Sequence, residues 1–132
     1  MPHVFAYGTL QLPKVLLAVT RRAFFSRPAR LDHYARHRLR DRSFPGIRPS
    51  PGASVDGLLL LDVDSLAQQR LDRFEDAFYR LEEVTVATED GATWPAVAYV
   101  VREESYDLLL PEDWNLEEFE QNDLPKFLRN HT

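Results

Sequence analysis

The sequence predicts an α+β fold: a mixed, partly closed sheet with helices packed on it. Three observations carry that expectation. Short apolar or β-rich runs outnumber helical stripes. Helices are interspersed among them without the regular strand–helix alternation of a parallel sheet. Two β-rich runs flank Glu89-Asp-Gly91, whose residues suit a hairpin turn.

Taken in order, His3 to Tyr7 reads as a short buried strand closed by Gly8. Leu12 to Arg22 carries Val15, Leu16 and Val19 on one stripe, continued by Ala23, and enters its helix through Pro13. Arg27 to Arg42 is predicted to be extended, and Phe44-Pro-Gly-Ile47 is a second punctuated stretch. Ser50-Pro-Gly-Ala53 is predicted to turn, with a strand following from Val55 to Val63. Asp64 or Ser65 can cap a helix reaching about Asp76. The hairpin strands are Tyr79 to Thr88 and Thr93 to Val101. The acidic tail, residues 111–130, reads as two short helices separated near Pro125.

The 132 residues suit one domain, expected over 1–132, with 44% apolar and 28% charged residues. Cysteine is absent, which excludes disulfides, thiolate metal sites and cysteine nucleophiles. No stretch approaches a membrane span, and Met1-Pro2-His3-Val4 lacks the basic start of a secretory signal. A cytoplasmic location and no membrane partner are therefore expected. The net charge of −5 hides polarity along the chain. Nine arginines against two aspartates lie between Arg21 and Arg48, while nine acids and no base lie between Glu103 and Asp123. Arg36, Arg38, Arg40 and Arg42 recur every second residue and on a strand would share one face. The chain is acidic overall and has no nucleic-acid motif, so the row is expected to face the acidic tail and no nucleic-acid partner is expected.

Chemistry has two candidate seats. Leu71, Phe74 and Phe78 define the buried face of the helix near residue 70, and Glu75 at i+4 from Leu71 falls on that face. A carboxylate among apolar side chains must be paired, protonated or facing a cavity, and burial raises its pKa toward neutrality. An ion pair with an arginine is the structural alternative for Glu75. The second seat is Tyr7-Gly8-Thr9-Leu10, a strand-to-helix turn that exposes successive N–H groups, where Gly8 permits close approach. His33 and His37 are four apart on an extended segment and lack a third ligand, so no metal site is expected. Trp94 and Trp114 read as core or tail anchors.

These motifs coincide with a known pattern. Val4-Phe-Ala-Tyr-Gly-Thr-Leu10 resembles the N-terminal signature of the γ-glutamylcyclotransferase-like superfamily. So do Phe44-Pro-Gly-Ile47, Val55-Asp-Gly57 and Leu71-Asp-Arg-Phe-Glu-Asp76 with Tyr79 beyond. The tail Asp113-Trp-Asn-Leu-Glu-Glu-Phe119, with Phe127, is similar to the branch named for avirulence-induced plant proteins. The resemblance implies a small barrel-like sheet with packed helices. It implies Glu75 as acid/base, and a substrate loop on Tyr7, Gly8, Thr9 and Leu10, extending through Gln11 and Leu12. The implied substrate is a small γ-glutamyl compound whose α-amine attacks its own γ-carbonyl, closing 5-oxoproline and releasing an amine or amino acid. No metal or organic cofactor is required for that chemistry. Tyr79, one turn of chain beyond the helix, is expected near the cavity mouth and able to bind a polar substrate group. Relatives commonly read Tyr-x-Arg there; here Arg80 and then Leu81 follow Tyr79, so Arg80 substitutes or recognition differs. The alternatives on the same fold are a non-catalytic binding module for a small acidic metabolite and an interaction protein.

Overall fold

Each strand of this protein buries one residue parity inward, and the two parities build two apolar clusters. The computed structural model describes residues 2–131. Met1 and Thr132, included in the expected 1–132 domain, lie outside the described residues. The strands are β1 (Val4–Ala6), β2 (Ser26–Arg38), β3 (Pro45–Leu60), β4 (Tyr79–Thr88) and β5 (Thr93–Val101). They close a barrel in the order β1-β3-β2-β4-β5. β1 runs antiparallel to β3 and parallel to β5, the latter through the single pair Val4↔Val97. Phe5, Leu31, Ile47, Leu59, Val86 and Val100 belong to one cluster. Val4, Leu60 and Val101, with the opposite parity, join Leu16, Leu71 and Phe119 from the helices in the other.

The helices are α1 (Pro13–Thr20), α2 (Ser65–Phe74), α3 (Leu116–Asn122) and α4 (Leu124–His131), with a short 3-10 turn at Thr9–Gln11 before α1. Pro13 opens α1, where its missing N–H is harmless. Asp64 caps α2 by accepting the Ala67 N–H at 2.8 Å and also pairs with Arg22. Asn115 caps α3 in the same way through the Glu118 N–H at 2.9 Å. The hairpin strands fall where the sequence places them, with Gly91 at φ +83° in the turn.

Three expectations need correction. Ser50–Ala53 does not separate strands but forms a wide bulge inside β3. Asp32 pairs Ser54 and Tyr34 pairs Pro49, so His33 alone spans the extra residues, with Gly52 at φ +85°. β3 accordingly starts at Pro45 and stops at Leu60, short of Val63. β2 ends at Arg38, so the four arginines do not share one strand face. Arg36 and Arg38 do, and they meet Asp113 at 2.8 Å and Glu118 at 3.6 Å. Arg42 instead lies over the Phe78 ring, 5.1 Å from its centroid. Finally, α2 stops at Phe74, and Glu75 is the extended residue that follows it (φ −74°, ψ 142°).

The tail docks as its charge and apolar residues predict. Trp114, Phe119 and Leu124 are buried, and the Trp114 indole donates to the Ser43 carbonyl at 2.7 Å.

Candidate active site

The end of β1 and the end of α2 face each other across a cavity of about 210 Å³. Tyr7, Gly8, Thr9 and Leu10 supply one side, Glu75 another, and Tyr79 a third. The turn is tied by Gln11 N–H to the Gly8 carbonyl and Leu12 N–H to the Thr9 carbonyl, both at 3.1 Å. A 3-10 turn makes no internal use of its first N–H groups, here those of Thr9 and Leu10, and both residues line the cavity. Gln11 and Leu12 are not among the cavity-lining residues. The Gln11 amide donates to the Gly8 carbonyl at 3.2 Å, and Leu12 is buried in the core beneath the helices.

Gly8 is required by packing. A Cβ there would stand 2.9 Å from Pro45 Cδ and Cγ, inside any real contact. Pro45 in turn accepts the Tyr79 hydroxyl through its carbonyl at 2.5 Å. Ser43, Phe44 and Pro45 thus form a wall; Phe44 and Pro45 belong to the stretch that resembles the family pattern, though the sequence did not assign them to the site. Phe74, Tyr99 and Phe127 also line the cavity, the last brought from α4 by edge contacts with Phe74 and Phe119. The sequence placed Phe74 on the buried helix face and Phe127 in the tail pattern, both of which core packing explains equally well, and gave Tyr99 no signal beyond aromaticity.

Glu75 is partly buried and has no ion-pair or hydrogen-bond partner for its carboxylate among the described residues. Burial first, then the neighbouring charges of Asp76 and Asp72, push its pKa up to about 8. The Tyr7 hydroxyl donates to the Tyr99 carbonyl at 2.6 Å, and burial followed by Glu75 holds its proton on. Burial and the nearby Tyr7 do the same for Tyr79. Every tyrosine proton on the cavity wall is therefore committed to a protein acceptor: Tyr7 to Tyr99, Tyr79 to Pro45, and Tyr99 to Asp72 at 2.6 Å. The cavity is polarised, with backbone donors at the turn and acceptors around Glu75.

Arg80 pairs with Glu82 at 3.2 Å and is not among the cavity-lining residues, and Leu81 is 43% exposed. His37 Nδ1 contacts the Leu110 carbonyl at 2.9 Å and His33 Nδ1 accepts the Gly52 N–H at 3.3 Å, so each ring is engaged separately.

Residues 4–116 match the family model described as gamma-glutamyl cyclotransferase, AIG2-like. The chain belongs to this family. AIG2-like protein C of Arabidopsis thaliana is 31% identical over 125 residues, covering 95% of this chain and 73% of the plant protein. A Methanocaldococcus jannaschii protein named gamma-glutamylcyclotransferase and putative RNase is 29% identical over 100 residues, covering 74% of this chain but only 45% of that one. Among solved structures, an Arabidopsis thaliana protein determined in solution aligns with TM-score 0.74 and 29% identity over 98% of this chain and 87% of its own. A structure titled gamma-glutamyl cyclotransferase shares the fold at TM-score 0.64 and 18% identity, over 98% of this chain and 85% of that chain. No helix among the described residues is long and apolar enough to cross a membrane.

Proposed function

We propose that this protein is a γ-glutamyl cyclotransferase that uses Glu75 as its acid/base. The observation that carries the reading is a carboxylate without a cationic partner, its pKa raised to about 8, lining one cavity with the Tyr7–Leu10 turn. Glu75 takes a proton from the substrate α-ammonium, freeing the nitrogen lone pair to attack the γ-carbonyl carbon of the same molecule. The N–H groups of Thr9 and Leu10 are placed to hold negative charge, and the Tyr79 oxygen can accept from the α-amine. The protonated Glu75 then passes its proton to the leaving nitrogen as the γ C–N bond breaks. The ring nitrogen gives up its second proton to solvent as the lactam forms, so the products are 5-oxoproline and the amine, with Glu75 again a carboxylate. Nucleophile and electrophile begin in one molecule, so the site mainly has to fold the substrate into its ring-closing pose.

Incubation with a panel of γ-glutamyl compounds, assayed for 5-oxoproline, tests the reading. Glu75→Gln should lower kcat by about 10²–10⁴-fold. Because the base must be ionised, kcat/KM should climb with pH and level off near 8, where the Glu75 carboxyl titrates. Turnover retained in Glu75→Gln would place the base elsewhere. Binding of a γ-glutamyl compound without turnover would favour a metabolite-binding module.

A further inference from the structure

Asp72 lies one helical turn before Glu75, on the exposed side of α2. An ordinary surface aspartate would be solvated; this one closes a triangle. Its Oδ1 accepts the Tyr99 hydroxyl at 2.6 Å and the Gln68 amide at 3.2 Å. The same Gln68 Nε2 donates to the Tyr99 oxygen at 2.9 Å. Gln68 holds this orientation although its Oε1 is buried without a partner, a cost that the two donated bonds must offset. From its other end Tyr99 continues the chain: its carbonyl accepts the Tyr7 hydroxyl at 2.6 Å, and the Tyr7 carbonyl accepts Arg36 Nη1 at 2.9 Å. One connected series of hydrogen bonds therefore links the helix that ends just before Glu75 to the residue that opens the turn, across β5.

We propose that Asp72 is a positioning residue: by holding the Tyr99 hydroxyl it fixes where the Glu75 carboxylate stands relative to the Tyr7–Leu10 turn. The catalytic meaning of that role rests on the cyclotransferase reading; the geometric role does not. A charge-assisted O–H to carboxylate bond at this distance is strong enough to index one element against another. Asp72 also bears on the proton affinity of Glu75 through its charge. The other groups facing Glu75 are Asp76 beside it, Tyr7 just after β1, Tyr79 from β4 and Tyr99 from β5, while α4 presents the uncharged Phe127. The guanidiniums of Arg36 and Arg42 act on Tyr7 and Tyr79 respectively.

The test compares Asp72→Asn, Asp72→Ala and Tyr99→Phe with the unaltered full chain. Asparagine keeps an oxygen for the Tyr99 hydroxyl and loses only the charge; alanine loses both. At saturating substrate, kcat should stay within about twofold in Asp72→Asn and fall about tenfold in Asp72→Ala and Tyr99→Phe, with KM little changed. The Glu75 carboxyl, followed by carbon NMR in the free protein, should titrate about 0.5–1 pH unit lower in Asp72→Asn. Amide shifts of Thr9 and Leu10 should move in Asp72→Ala and Tyr99→Phe but not in Asp72→Asn. An aspartate that merely stabilised α2 would leave kcat and the turn shifts unmoved, while the Glu75 titration reports only its charge. Equal kcat and equal turn shifts in Asp72→Ala and Asp72→Asn overturn the proposal. If the unaltered protein releases no 5-oxoproline from any γ-glutamyl compound, the cyclotransferase reading fails by itself, and the NMR shifts still decide the positioning role.

Discussion

A carboxyl that holds its proton more tightly in the fold than in the open chain works against folding once it ionises. Glu75 is such a group, raised from its ordinary 4.5 to about 8 by burial, Asp76 and Asp72. Between those values the native state binds more protons than the unfolded state, so this contribution to stability is full below about 4.5 and falls as pH rises to 8. Glu75→Gln removes the slope. The variant should match the unaltered protein within about 0.5 kcal/mol at pH 4 and exceed it by about 2–5 kcal/mol at pH 8. Urea unfolding at the two pH values measures the difference; a constant offset would mean that Glu75 is solvated in the native state. This residue was legible in the sequence because its spacing from Leu71 places a charge beside apolar side chains. The reason for its burial was not: α2 ends before Glu75, and the carboxylate reaches the cavity from an extended residue.

Among the elements, legibility followed locality. The β4–β5 hairpin was readable because its turn and both strands lie within one continuous stretch, and their register depends on nothing distant. β3 was misread because Ser50-Pro-Gly-Ala53 has turn composition, and only its pairing to β2 reveals that the strand continues past it. The Phe44–Pro45 wall was invisible for the same reason, since it meets Gly8 only after the sheet has formed. Packing at the next residue makes that wall testable. A Cβ on Gly46 would lie 2.4 Å from Val101 Cγ2, and a valine has little freedom to move aside. Gly46→Ala should therefore destabilise by about 1–3 kcal/mol. Val101→Ala in the same chain should return part of that loss, whereas simple additivity of the two changes would show that the strands separate freely.

At the scale of the whole molecule, the acidic tail is held chiefly by apolar contact. Phe119 is 1% exposed and touches Trp114 and Phe127, whereas the ion pairs from Arg36 and Arg38 meet carboxylates that are largely solvated. Exposed pairs of that kind contribute about 0–1 kcal/mol, while truncating a buried phenylalanine costs about 3–5 kcal/mol. Hydrogen exchange over residues 112–130 should accordingly quicken strongly in Phe119→Ala and only slightly in high salt. Free exchange in the unaltered protein would detach the tail from the body and release Arg36 and Arg38 for an outside partner.

The barrel is sealed by its shortest strand, β1, through one parallel pair with β5. The start of the chain must therefore wait for residues nearly a hundred positions later before the ring can shut, a long-range closure of the kind that slows folding. Because the Tyr7–Leu10 turn hangs from that strand, a chain whose barrel has not yet closed has no assembled cavity, whatever its other elements have formed. The molecule's keystone and one wall of its cavity are consecutive stretches of one short segment.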